Sequence, residues 1–191
     1  MMAVAELEHS CERLPVPAAR AGAASAWDAL FRRYQLPLYA YARELVSDDS
    51  TALDVVQETF ISAARHLGSL RDDERFGSWL FGIAHQKCVQ HWRRRARAAR
   101  VLDDETELPE DATDAGPDPA EWLIRQEDHE RFLAALAQLP EAQRAVVLLH
   151  FLEEFPLAEI AGITDVPLGT VKSRLHHAKL SLRRLLEKAE P

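Results

Sequence analysis

Three features of this sequence predict an all-α fold: two small helical domains joined by an acidic flexible linker, the second containing a helix-turn-helix. Apolar residues recur at steps of three and four through most of the 191 residues, and no segment alternates with the period of a strand. Between about 101 and 120 that pattern gives way to acidic residues with Pro109, Gly116, Pro117 and Pro119, a composition that cannot bury enough apolar surface to order itself. From Phe155 to Leu175 the chain reads as a short helix, a tight turn and a second helix.

Composition narrows the class. An apolar content of 47% suits a folded protein of one or two small domains. No apolar run approaches the length of a membrane span, so no stable membrane insertion is expected. The N-terminus lacks a signal-peptide pattern, which places the protein in the cytoplasm. Two cysteines, Cys11 and Cys88, make no disulfide framework. The net charge of -8 argues against a nucleic-acid binder only until its distribution is seen. Nine acidic residues and no basic one lie between Asp103 and Glu121, whereas Leu168 to Pro191 holds six basic residues against two acidic. Arg93, Arg94, Arg95, Arg97 and Arg100 form a second basic block.

Taken in order, residues 1–21 are expected to be a disordered leader, 22–100 the first domain, 101–127 the linker and 128–191 the second domain. Trp27, Leu30, Phe31, Tyr34, Leu38, Tyr41, Ala42 and Leu45 form the buried stripe of one helix, with a kink expected at Pro37. Ser47 to Ser50 read as a turn and cap. The next helix, about Thr51 to Leu67, buries Ala52, Val55, Val56, Phe60, Ala63 and Leu67, and its far side carries Asp54, Gln57, Glu58, Ile61 and Arg65. An apolar Ile61 centred among exposed polar residues points to a protein-binding surface. After a polar loop from Gly68 to Glu74, a third helix begins near Arg75, buries Phe76, Trp79, Leu80 and Ile83, and loses its apolar stripe beyond Ile83. Beyond the linker, one helix is expected through Trp122, Phe132, Leu133 and Leu136, and another from Pro140 to about Leu152.

The last helix should start at Pro167, which has no N–H to leave unpaired in a first turn. Leu168, Val171, Leu175, Ala178, Leu182 and Leu185 give it one buried face. Thr170, Ser173, His177 and Arg184, flanked by Lys172, His176, Lys179 and Arg183, face the other way. Such a helix lies in the DNA major groove with its N-terminal residues at the base edges and its cations on phosphates. Gly169 lets the helix start approach a backbone closely, where free N–H groups favour a phosphate.

Asp54-Val-Val-Gln-Glu-Thr-Phe-Ile61, Trp79-Leu-Phe-Gly-Ile-Ala84 leading to Arg93-Arg-Arg95, and Leu139-Pro with Gly169-Thr-Val-Lys-Ser-Arg-Leu175 together resemble the extracytoplasmic-function (ECF) sigma factors of bacterial RNA polymerase. The resemblance covers about residues 22 to 98 and 128 to 187. It implies a dissociable initiation subunit that binds core RNA polymerase and directs it to promoter DNA, with control by a separate anti-sigma factor. Asp54, Gln57, Glu58 and Ile61 would dock on the polymerase clamp helices. His85, Gln86, Gln90, Arg93, Arg94 and Arg95 would melt and read the minus-ten element, Gln86 standing where the family often has Asn and Gln90 where Asp is frequent. Gly169, Thr170, Lys172, Ser173, Arg174, His176, His177 and Lys179 would bind the minus-thirty-five element. Asp165 stands where a turn glycine is usual, and Asp enters left-handed conformations more easily than most residues.

No enzyme is expected and no cofactor is implied. The best metal candidate, His85, Cys88 and His91, fails on geometry, because the two histidines lie about 120° apart on a helix of 3.6 residues per turn. The competing reading is a stand-alone dimeric helix-turn-helix transcription regulator, which would bind duplex half-sites without polymerase.

Overall fold

The computed structural model describes residues 14–100 and 126–187. The expected linker therefore lies almost wholly outside the described residues, as do the expected helix position of Trp122 and residues 1–13 of the expected leader. The described residues are helical and contain no strand.

Four helices make the first group: α1 (Val16–Arg20), α2 (Ala24–Val46), α3 (Asp49–His66) and α4 (Phe76–Arg100). The leader expectation is corrected for its last residues. Val16 and Ala19 are buried against α2, Trp27 Nε1 donates to the Ala19 carbonyl at 3.1 Å, and the Arg20 guanidinium donates to Leu70 O at 3.1 Å and pairs with Asp73. Two apolar side chains and a ring of side-chain bonds are enough to fix a single helical turn and a half onto a neighbouring bundle.

Helix α2 runs through Pro37 although the ring forfeits one helical hydrogen bond. Burial of Leu30, Leu38, Tyr41, Ala42 and Leu45 on one face outweighs that loss. Phe31 is a correction: it is 42% exposed and stacks on Phe60 from outside, with ring centroids 4.9 Å apart. Ser47 takes φ 58 to end α2, and the Asp48 side chain accepts the Thr51 N–H at 2.7 Å to cap α3. The Thr51 side chain, and after it this backbone N–H, draw the Asp48 carboxyl below its ordinary range. Close approach of α4 to α2 is bought by Gly77, where a β-carbon would meet the Tyr34 hydroxyl at 3.1 Å.

The apolar stripe of α4 does not decay after Ile83. It continues through Ala84, Cys88 and Trp92, with Ala84 and Cys88 fully buried and Trp92 Nε1 donating to Leu45 O at 3.0 Å. Lys87 leaves the stripe to pair with Glu58 of α3 at 3.0 Å.

The second group holds α5 (Gln126–Ala137), α6 (Glu141–Val147), a π-helical turn over Leu148–Leu152, α7 (Leu157–Thr164) and α8 (Leu168–Glu187). Arg144 is 7% exposed and organises this group. Its guanidinium donates to Ala137 O at 2.6 Å and Leu139 O at 2.9 Å, satisfying carbonyls left over at the end of α5. It also donates to Glu44 O of α2 at 2.9 Å and so ties the two groups together. On α8 the buried face is Val171, Leu175, Ala178, Leu182 and Leu186; the expected core residue Leu168 is instead 40% exposed, and Leu185 is half-buried. At the first helical position Leu168 has no preceding turn to cover it.

Candidate functional site

All four residues of the predicted docking face, Asp54, Gln57, Glu58 and Ile61, are exposed on α3, with Ile61 at 46%. The structure extends that face across to α2. Of the six large hydrophobic residues exposed among the described residues, four (Phe31, Leu36, Leu53 and Ile61) lie on these two helices, so the exposed apolar area is concentrated there and not scattered. Phe31, Leu36, Tyr39, Leu53, Asp54 and Gln57 line a groove of about 660 Å³. Leu36 at 70% and Leu53 at 60% exposure were missed from the sequence. Leu53, Gln57 and Ile61 fall on one row at steps of four, and that row was the available signal.

On α4, Gln86, Gln90, Arg93, Arg94 and Arg95 are exposed as the sequence predicts. At 3.6 residues per turn Gln86, Gln90, Arg93 and Arg94 share one side of the helix, whereas Arg95 is turned to the opposite side. His85 is a correction. It is 7% exposed and turned inward, with Nδ1 2.8 Å from the Tyr41 hydroxyl and its ring edge-on to Trp92. Burial, aided by the positive field of Arg174, lowers its pKa to about 4, so the ring is neutral at physiological pH. Held in this way, the side chain is not exposed with the other predicted minus-ten residues and shows only an edge to the cavity they line. The neighbouring Cys88 thiol is pushed up to about 12 by burial, which keeps it protonated at physiological pH. Among the described residues no group of His, Cys, Asp and Glu is arranged to hold a metal ion.

The helix-turn-helix is formed by α7 and α8, with Asp165 at the turn in the left-handed region at φ 54. Its backbone N–H returns to Ala161 O, the bond that closes a helix through a left-handed residue. Gly169, Lys172 and Ser173 are exposed, while Thr170, Arg174, His176, His177 and Lys179 are half-buried. None of these eight lies on the core face. Lys179 Nζ sits 5.1 Å from the Phe151 ring centre, the His176 and His177 rings meet edge to face at 5.6 Å, and Arg174 turns toward α4. There Arg174 shares a cavity of about 530 Å³ with Gln86, Gln90 and Arg93 of α4 and with Thr164 and Asp165 of α7. Of the predicted minus-thirty-five set only Arg174 lines this cleft, where it meets His85, Gln86, Gln90 and Arg93 of the predicted minus-ten set.

Comparison with known proteins agrees with this geometry. The Sigma-70 region 2 family matches residues 30–98, and the Sigma-70 region 4 family matches residues 129–182. The chain is 35% identical over 175 residues to the ECF RNA polymerase sigma factor SigL of Mycobacterium tuberculosis, covering 90% of this chain and 95% of that one. It is 32% identical over 167 residues to the RNA polymerase sigma-H factor of Pseudomonas aeruginosa, covering 85% and 86%. Among solved structures it resembles CnrH in complex with the cytosolic domain of CnrY, with TM-score 0.67, 26% identity and coverage of 94% and 99%. It also resembles the sigma factor RpoE bound to the anti-sigma factor NepR from Bartonella quintana, with TM-score 0.62, 26% identity and coverage of 85% and 98%. A region 2 unit ahead of the helix-turn-helix disfavours the stand-alone regulator, and the chain belongs to the ECF family of RNA polymerase sigma factors.

Proposed function

We propose that this sigma factor docks on the core polymerase through the α2/α3 groove, using Leu36, Leu53 and Ile61 as apolar anchors and Asp54, Gln57 and Glu58 as the polar rim. The groove carries this reading: exposed Phe31, Leu36 and Leu53 line it with Asp54 and Gln57, and Glu58 and Ile61 continue the exposed face of α3 beside it, an arrangement suited to a helical partner with basic flanks. Gln86 and Gln90 read the unstacked minus-ten strand while Arg93, Arg94 and Arg95 hold its phosphates. Gly169, Thr170, Lys172, Ser173 and Arg174 engage the minus-thirty-five duplex, with His176, His177 and Lys179 at the flank.

The protein acts in the cytoplasm and performs no catalytic step of its own; it positions and opens DNA for the polymerase. Both structural neighbours are held by a second protein, and we assign this chain an anti-sigma partner of the same kind. Run-off transcription with purified bacterial core polymerase on a promoter library tests the whole reading. Promoter-specific transcripts that require both the chain and core enzyme are expected; sequence-specific duplex binding by a dimer without polymerase would sink it.

A further inference from the structure

Helix α1 precedes the segment that matches region 2, which begins at residue 30. Its sequence nevertheless builds a fixed element. Pro15 and Pro17 restrict the backbone at its start, and Val16 and Ala19, three apart, bury one face against α2. Trp27 Nε1 holds its end by donating to Ala19 O at 3.1 Å. Arg20, the last residue of α1, is thereby carried to the segment that joins α3 to α4.

That segment consists of two 3₁₀ turns, Leu67–Ser69 and Asp73–Arg75; it buries Leu67 at its start and leaves Arg71, Asp72 and Glu74 exposed. The Arg20 guanidinium spans it. One terminal nitrogen donates to Leu70 O at 3.1 Å and to Asp73 Oδ1, and the other donates to Asp73 Oδ2 at 3.4 Å. Among the described residues, these are the side-chain hydrogen bonds that reach residues 70–73 from outside the segment. A planar fork that grips a carboxylate and a carbonyl three residues apart fixes a short turn more tightly than a point charge would.

The held turn borders the minus-ten side of α4. Trp79, Ile83, Gln86, Gln90 and Arg93 follow one another at steps of three and four, so they share one row of the helix. At the N-terminal end of that row, Leu70 and Arg75 line one cavity with Trp79, Ile83 and Gln86. A strand laid along the row from Arg93 therefore meets the turn beyond Gln86. A wall that is already ordered adds to binding, whereas a mobile one must be ordered at the moment of binding and weakens it.

We propose that Arg20 is a positioning residue for the minus-ten strand: clamped on Leu70 O and Asp73, it holds the turn between α3 and α4 as the end wall of the row that runs from Trp79 to Arg93. Arg20 touches no DNA in this role. Loss of the clamp frees a turn with few buried contacts of its own and leaves the packed helices on either side in place. The proposal rests on the assignment of Gln86, Gln90 and Arg93 to the minus-ten element.

Holoenzyme assembled from core polymerase and the full-length chain tests it. The probe is a fluorescent single-stranded oligonucleotide carrying the non-template minus-ten segment of a promoter recovered from the library. Arg20→Ala and Asp73→Ala should each weaken its binding by about fivefold, since each breaks the same partly exposed charge pair. The double variant should bind no worse than either single one, because one shared contact is lost in all three. Melting temperature and retention by core polymerase should match the unsubstituted chain, as a pair this exposed contributes little to global stability. Unchanged strand binding by both single variants overturns the proposal. So do losses that multiply in the double variant, and so does a loss that comes with a lowered melting temperature, which would mark Arg20 as a folding residue. Gln86→Ala is the separate control: unchanged strand binding there sinks the minus-ten assignment itself, whatever the Arg20 variants do.

Discussion

The Tyr41 hydroxyl and His85 Nδ1 are 2.8 Å apart in the buried seam between α2 and α4, forty-four positions from each other in sequence. This bond fixes the rotation of α4 and thereby turns Gln86, Gln90 and the arginines outward. Tyr41→Phe leaves a buried imidazole nitrogen without its partner and is expected to cost about 1–3 kcal/mol of stability. Chemical denaturation measures it. Minus-ten base preference should stay the same in this variant and change in Gln86→Ala; a change of preference in a stable His85→Ala protein would restore His85 as a reader.

The same histidine gives a pH dependence. Its pKa is depressed in the folded chain to about 4, so the folded state holds it neutral and suffers no penalty above about 6.5, the ordinary value. As pH falls from there toward 4, the unfolded chain takes up the proton first and stability declines. His85→Leu, which cannot take up a proton, should flatten that part of a melting-temperature profile. An unaltered profile would mean that carboxylates elsewhere dominate.

Ile61→Asp and Leu53→Asp should each weaken binding to core polymerase tenfold or more, because a charge must then be desolvated at the centre of the interface. Asp54→Ala, at the rim, should cost several-fold less. All three positions are exposed, so thermal stability should hold. Titration of labelled protein with core enzyme checks the ranking. Wild-type affinity in both aspartate variants would remove the groove from the docking surface.

On α8, Lys172→Ala should lower affinity on every promoter and reduce the salt slope of binding by about 1, whereas Ser173→Ala should alter which upstream element is preferred. Lys179→Ala is expected to change the salt slope less, since its ammonium is already held over Phe151. Binding isotherms across salt concentrations on several duplexes separate these outcomes. A Lys172→Ala protein with changed preference and an intact slope would reverse the roles.

Glu153, which follows the π-helical turn, is held near Tyr34 and Tyr41 of α2, and burial pushes its carboxyl up to about 7. A raised carboxyl pKa favours the folded chain when protonated, so its contribution is fully present below the ordinary value and is lost as pH rises through 7. Glu153→Gln removes that loss. Its melting temperature should exceed wild type by about 2–4 °C at pH 8, a figure reduced for the carboxylate's partial exposure, and the two should converge near pH 5. A gap of equal size at both pH values would point to packing and not to titration.

Periodicity alone established the helices, because a buried stripe at steps of three and four is a local property: Leu38, Tyr41 and Leu45, or Val171, Leu175 and Leu182, announce their face without knowledge of any neighbour. The exposed face of α3 was legible for the same reason, as the complement of such a stripe, whereas Gln86 and Gln90 of α4 were singled out only by the family resemblance. The failures fall where a second element decides. Phe31 lies on an apolar stripe yet is exposed, because α3 packs beside it and not over it. His85 reads as polar and available until Tyr41 and Trp92 enclose it. Leu168 belongs to the right row but lies at a helix start that no other element covers. Arg144 looks like any surface cation in sequence, and only the arrival of carbonyls from α2 and α5 makes it a buried tie. The crossing of α7 over Gly82 had no sequence signature at all, since a glycine records only that something can come close, and what comes close is settled by the packing of residues eighty positions away.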